Sequence, residues 1–172
     1  MNIALVAKMR SGKDTLADYV IKKYGYTRFA FGDGIREVAR ELFPEQMKDG
    51  NKPRALLQGI GQSMRKFDND VWVNRCFTEI KKSEKDRIII TDLRQPNEFA
   101  RVKEEGYITI KIVCDDEIRI NRILESNDNF NKADLYHETE MHIDTYDCDH
   151  VIYNNDSLES LFDQFNKVMR VI

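Results

Sequence analysis

A three-layer α/β domain built on a five-stranded parallel sheet is the fold class this sequence predicts, and three observations predict it. Short apolar runs recur along the chain, at residues 3–6 (IALV), 27–31 (TRFAF), 87–91 (RIIIT), 107–113 (YITIKIV) and 150–153 (HVIY). Each pair of consecutive runs is separated by helical patterning long enough for a crossover, which makes the strands parallel with helices on both faces. The first run leads directly into a loop carrying Gly12 and Lys13, and the loop opens a helix.

The elements follow in order. Residues 3–6 are continuously apolar, as a strand buried on both faces requires. Leu16, Ala17, Val20, Ile21 and Tyr24 then recur at helical spacing, and Gly25 supplies the stop. Helical patterns cover about 33–43, 52–66 and 70–82. The third strand, 87–91, precedes a helix opened by Pro96 and closed by Gly106. Asp115 and Asp116 cap a helix expected over 116–126. The polar ESNDNFNKADLYHETE that follows reads as mobile at its start and helical near its end. Asp156 and Glu159 open the last helix, with Leu158, Leu161, Phe162, Phe165 and Val168 on its buried face. There is no internal repeat and no linker rich in Pro, Gly or Ser, so residues 1–172 read as one domain, with 116–140 as its semi-independent element.

Composition narrows the function classes. A chain of 172 residues with 41% hydrophobic and 33% charged residues has enough apolar surface for a globular core. A net charge of -3 argues against a dedicated binder of polymeric nucleic acid. Cys76, Cys114 and Cys148 show no metal spacing, which suits reduced thiols and a cytoplasmic location. No apolar stretch approaches the roughly 18 residues of a membrane span, so no membrane partner is expected.

The stretch AKMRSGKDT is two letters away from the phosphate-binding pattern of Gly, four residues, Gly-Lys and Ser or Thr. Ala7 replaces the first glycine and adds only a methyl. Asp14 replaces the hydroxyl residue. A strand before the loop and a helix after it supply the context the motif needs, with backbone N–H groups and the helix N-terminus facing a phosphate. Lys13 would reach the β- and γ-phosphates. Asp14 is a hard oxygen ligand for Mg²⁺, directly or through water, and Thr15 remains free to touch the α-phosphate. The bland alternative is a helix start with an acidic first turn.

Taken with FAFGDGIREVA, RALLQGIGQSMRKFDNDVWV, IIITDLRQPNEF and HETE…DCDHVIYNND, this loop resembles the P-loop small-molecule kinases over nearly the whole chain. The nearest likeness is to phage-type deoxynucleoside monophosphate kinases, with phosphomevalonate kinase as a relative that shares the SGKD loop. The resemblance implies a P-loop kinase fold with a mobile lid, ATP as co-substrate, Mg²⁺ as cofactor, and a deoxynucleoside monophosphate as acceptor. The location implied is cytoplasmic, the host cytoplasm if the chain is phage-encoded, and a homodimer is compatible with it. Phosphomevalonate, dephospho-coenzyme A or a ribonucleotide as acceptor, or a non-kinase P-loop NTPase acting as a regulatory module, are the other readings. Against a regulatory switch, no guanine-reading Asn-Lys-x-Asp is present.

The residues carried over are these. Arg10, Ser11, Gly12, Lys13, Asp14 and Thr15 would hold ATP, with Asn154 near the adenine. Asp33 and Arg36 follow the second strand, where similar kinases place a Gly-Asp and an arginine for the acceptor phosphate; a solvated helix face is the alternative for Arg36. Gln58 and Arg65 are seven residues apart and share a helix face, which the resemblance sets over the acceptor. Leu56, Leu57, Ile60 and Met64 read as core, and so does Trp72. Asp92 would position Mg²⁺ or its waters, or orient the acceptor oxygen. Arg94 would meet the acceptor phosphate, while Glu98 caps its helix. Arg119 and Arg122, three residues apart, would close with the lid over the transferring phosphoryl group; the alternative is a merely charged helix. His137 and Glu140 match the family pattern without an assignable role.

Overall fold

A computed structural model of the chain describes residues 1–51, 53–125 and 142–172. The elements in order are β1 (Ile3–Ala7), α1 (Lys13–Tyr24), β2 (Thr27–Phe29), α2 (Gly32–Leu42), α3 (Arg54–Arg65), α4 (Val71–Ser83), β3 (Ile88–Leu93), α5 (Pro96–Glu104), β4 (Ile108–Val113), α6 (Asp116–Glu125), β5 (His150–Tyr153) and α7 (Leu158–Met169). Short 3-10 segments occupy Pro44–Gly50 and Ile143–Thr145. The five strands form one all-parallel sheet in the order β2-β3-β1-β4-β5, as the alternation of strands and helices requires. The chain divides into two compact units, Met1–Arg28 with Asp86–Ile172, and Phe29–Lys85. None of the described helices is long and apolar enough to cross a membrane.

In the first unit β1 is the central strand. All five of its residues are buried, which is why its run is continuously apolar rather than alternating. Ile3, Leu5 and Ala7 point into a cluster with Ile89, Ile110, Ile112 and Ile152 of the neighbouring strands. The same cluster receives Leu16, Ala17 and Val20 of α1 and Leu161, Phe165 and Val168 of α7, so these two helices cover one face. Each fully buried Leu, Ile or Phe there contributes about 2 kcal/mol of apolar transfer free energy. On the other face α5 buries Val102, and Lys103 and Thr109 share the carboxylate of Asp149.

The sheet register brings the strand ends level. Ala7 pairs with Ile112, Val113 with Tyr153, and Val6 with Leu93. Between β1 and β3 the register slips, so that Ala4–Val6 runs beside Ile90–Leu93, with one extra residue on β3 around Thr91–Asp92. Such an irregularity re-aims a side chain at the end of a strand.

In the second unit α2, α3 and α4 pack together without strands of their own beyond Phe29. Trp72 is buried, and its Nε1 donates to the carbonyl of Gly61 at 3.1 Å. Its ring lies against Gly34, where an added Cβ would come within 3.2 Å of it. Trp72 is therefore core, as the sequence suggested.

Several boundaries differ from expectation. β2 stops at Phe29 instead of Phe31, because Asp33 N–H turns back to the carbonyl of Ala30 and starts α2. β3 runs on to Leu93. The last helix begins at Leu158, capped by Ser157, whose hydroxyl accepts from Ser160 N–H at 3.2 Å. Leu158 is consequently exposed in the first turn rather than buried, and Met64 is exposed on α3 although both lie at helical spacing. Glu98 does cap its helix: its carboxylate accepts from the N–H groups of Arg94 and Gln95, both at 2.9 Å. The helix expected near HETE, His137, Glu140 and most of the 116–140 element lie outside the described residues.

Candidate active site

In a parallel sheet of this kind ligands bind at the carboxyl ends of the strands. Four of those ends converge in the first unit. β1 feeds the loop of residues 8–12, β3 carries Asp92, β4 ends at Val113 before Cys114, and β5 ends before Asn154. The loop then enters α1, whose first N–H groups have no intrahelical partner and face whatever lies beyond the helix start.

The loop has a specific backbone. Gly12 adopts φ 88, and Arg10 adopts φ 62, a left-handed conformation uncommon for a residue with a Cβ. Ser11 N–H closes a turn onto the carbonyl of Lys8 at 3.2 Å, and Leu16 N–H reaches Gly12 at 3.1 Å. Left-handed residues of this kind curl the chain so that successive N–H groups gather on one side, an arrangement suited to an anion. Gly12 is required twice over. Its φ disfavours any side chain, and an added Cβ would fall 2.1 Å from Nδ2 of Asn154.

Lys13 folds its ammonium onto the carboxylate of Asp14. The Lys13 side chain is only 14% exposed, whereas that of Asp14 is 90% exposed. Desolvation by the loop pushes the Asp14 carboxyl up, but Lys13, helped by Arg28 and Arg94, outweighs it and holds the group below the usual carboxylate range. Asp14 is thus ionised at neutral pH, the state a metal ligand needs. Asp92 is half-buried on β3 beside the loop-bearing strand. Among the described residues no three His, Cys, Asp or Glu converge as a metal cage. Asp14 and Asp92 are oxygen donors of the kind Mg²⁺ takes, since that ion accepts one or two protein oxygens and fills its octahedron with phosphate oxygens and water.

Arg119 and Arg122 both reach the loop from α6. Arg119 is 4% exposed; its Nε donates to the carbonyl of Met9 at 2.8 Å, and its Nη1 pairs with Asp116 at 2.5 Å. Arg122 lies near three acceptors: the Arg10 carbonyl at 3.4 Å, the Asn154 carbonyl at 3.3 Å and the Cys114 Sγ at 3.4 Å. Asn154 is buried and donates from Nδ2 to the carbonyl of Ser11 at 2.9 Å. Thr15 is exposed in the first turn of α1.

Arg94 is fixed at both ends of its peptide unit. Glu98 accepts from its N–H, and the Tyr146 hydroxyl donates to its carbonyl at 2.8 Å. Tyr146 stacks on Phe99 with centroids 4.4 Å apart, and burial, reinforced by the nearby Glu98 charge, pushes its phenol up to about 12. It therefore stays a donor throughout the physiological range. Lys8 pairs with Asp144 at 2.5 Å, tying the start of the loop to the Ile143–Thr145 segment.

In the second unit Asp33 and Arg36 pair at 2.7 Å on one face of α2, both partly exposed. Gln58 is exposed, and Arg65 is half-buried with its guanidinium over Gly61. Sequence reasoning did not single out Lys8, Arg28, Asp144 or Tyr146. Lys8 opens the loop itself, but its partner Asp144 lies far along the chain. Arg28 and Tyr146 likewise act on Asp14 and Arg94 across separations that leave no local pattern.

A glycine-lysine loop joining the central parallel strand to its helix, with carboxylates at the adjoining strand end and helix start, defines a P-loop protein with the kinase-like α/β fold. The AAA domain family (AAA_18) matches residues 3–143, and the chain belongs to that family. A protein of Acanthamoeba polyphaga mimivirus named "Putative deoxynucleotide monophosphate kinase" is 27% identical over 139 residues, covering 64% of this chain and 72% of its own. The uncharacterized protein ORF76 of Ictalurid herpesvirus 1 (strain Auburn) is 27% identical over 140 residues, 79% of this chain. The aligned region spans 57% of that protein's length. Among solved structures, shikimate kinase from Acinetobacter baumannii shares the fold with a TM-score of 0.61 at 16% identity, over 99% of this chain and 91% of that one.

Proposed function

We propose that this chain transfers the γ-phosphoryl group of ATP to a (deoxy)nucleoside monophosphate and releases the two diphosphates. The observation that carries the reading is the loop itself: Gly12 in a conformation that admits no side chain, followed by Lys13 at the start of the helix. The named mimivirus relative supports the choice of acceptor.

The chemistry asks little covalent work of the protein. An oxygen of the acceptor phosphate attacks the γ-phosphorus while the bond to the β–γ bridging oxygen breaks, and ADP leaves with that electron pair. The attacking phosphate is already ionised, so no side-chain nucleophile is required. Arg10, Ser11, Gly12 and Thr15 hold the donor phosphates, Asn154 braces their loop through its bond to Ser11, and Lys13 exchanges its pairing with Asp14 for the β- and γ-oxygens. Bound through Asp14 and Asp92, Mg²⁺ would neutralise charge on the phosphate oxygens. Arg119 and Arg122 add two positive charges behind the loop. Asp33, Arg36, Gln58, Arg65 and Arg94 are the residues assigned to the acceptor, with the guanidinium groups suited to its phosphate in a bidentate manner.

The test is ADP release from ATP with and without a panel of acceptors: the four deoxynucleoside monophosphates, the ribonucleotides, phosphomevalonate and dephospho-coenzyme A. The proposal expects a deoxynucleoside monophosphate to give the largest stimulation over the water background. Stimulation by phosphomevalonate or dephospho-coenzyme A alone would reassign the acceptor, and no stimulation by any member would remove the kinase reading.

A further inference from the structure

The phosphate loop is gripped from behind by three side chains distant in sequence, and each takes one of three consecutive carbonyls. Arg119 Nε donates to Met9 at 2.8 Å, Arg122 Nη1 to Arg10 at 3.4 Å, and Asn154 Nδ2 to Ser11 at 2.9 Å. In a trans peptide the carbonyl and the following N–H point in opposite directions. Holding the carbonyls of Met9 and Ser11 on one side therefore turns the N–H groups of Arg10 and Gly12 to the other, where a phosphate cradle needs them.

Asn154 is the keystone of this arrangement. It is 2% exposed, its own N–H donates to Val113 at 2.8 Å, and its carbonyl lies 3.3 Å from Arg122 Nη2. Its Nδ2 occupies the space where a Cβ on Gly12 would stand. Its Oδ1 is buried without a hydrogen-bond partner, as is the Oγ of Ser11. An unsatisfied buried oxygen is costly; here it accompanies an amide held in place for the one bond that its nitrogen makes to the loop.

We infer that Asn154, with Arg119 and Arg122, is a positioning residue that sets the loop in its phosphate-binding shape, and that it governs nucleotide affinity through the phosphates rather than the base. This rests on the reading of the loop as a nucleotide site, and the experiment separates the two. Binding of ATP and of inorganic tripolyphosphate is measured by calorimetry for the full chain and for Asn154→Ala, alongside hydrogen exchange of residues 8–14 in the ligand-free proteins. Loss of the anchoring bond weakens both ligands by the same factor, about tenfold, and speeds exchange in the loop. Should Asn154→Ala not fold, Asn154→Ser takes its place with the same expectation. Weakened ATP binding with unchanged tripolyphosphate binding overturns the inference in favour of a base contact. Unchanged binding of both, or unchanged loop exchange, overturns it as well. Wild-type chain that binds neither ligand sinks the nucleotide-site reading itself.

Discussion

Lys13 and Asp14 stand side by side at the start of α1, the ammonium paired with the carboxylate. In the proposed reaction, nucleotide binding exchanges this ion pair for two interactions, Lys13 with phosphate and Asp14 with Mg²⁺. Removing the lysine leaves the fold's core untouched but takes away the cation proposed to follow the moving charge. Lys13→Ala is expected to cut phosphoryl transfer by about a hundredfold or more with little change in melting temperature; near-normal turnover would exclude Lys13 from the chemistry. Asp14→Asn keeps the shape and removes the charge. The Mg²⁺ concentration for half-maximal rate should rise by about tenfold or more, the loss of one charge-assisted contact, and an identical Mg²⁺ titration would end the metal role. Because Lys13 holds the Asp14 carboxyl below its usual value, the pair's contribution to stability is complete above the unfolded carboxyl range. It is lost as pH falls through the lowered folded value. Asp14 is mostly exposed, so that contribution is small and the metal titration is the better reporter. Gly12, Lys13 and Asp14 were legible in the sequence because their chemistry is local. The bond from Asn154 to Ser11 spans 143 positions, and no spacing rule announces it.

At the level of elements, apolar periodicity together with capping and stop residues located every α-helix and strand of the described chain. It did not reveal which turn of a helix is covered. Leu158 and Met64 obey the helical period yet are exposed, because one sits in the first turn of its helix and the other near the end of α3. The 3-10 segments at Pro44–Gly50 and Ile143–Thr145 were likewise unforeseen; they are too short for a period to register. The link between β4, β5 and α5 is a polar one. Asp149 accepts from Thr109 N–H at 2.8 Å and Thr109 Oγ1 at 2.7 Å, and pairs with Lys103 at 2.7 Å. Desolvation opposes its charge, but the bonds from Lys103 and Thr109 prevail and bring the carboxyl down to about 2. The sign is that of a depressed acid: the stabilisation is present above the ordinary carboxyl value and disappears as pH falls toward 2. Asp149→Asn should lower stability at pH 7 by on the order of 1 kcal/mol, allowing for its partly exposed side chain. The deficit should shrink as urea unfolding is repeated at progressively lower pH. A deficit that does not vary with pH would mean the carboxylate's charge contributes nothing.

For the whole molecule, alternation of strands and helices was enough to predict a parallel sheet, but not the order β2-β3-β1-β4-β5, which depends on which edges the crossovers reach. That order makes the loop-bearing strand central, so the loop borders strands on both sides and can be anchored from each. Asp33, Arg36, Gln58 and Arg65, among the residues proposed for the acceptor, all lie within Phe29–Lys85. The proposed reaction is defined by where the phosphoryl group goes. The most direct measurement follows the label of γ-labelled ATP in the presence of a deoxynucleoside monophosphate and Mg²⁺. The label is expected to appear in the deoxynucleoside diphosphate, at a rate that collapses in Lys13→Ala. Label released only as inorganic phosphate, at a rate indifferent to the monophosphate, would contradict it.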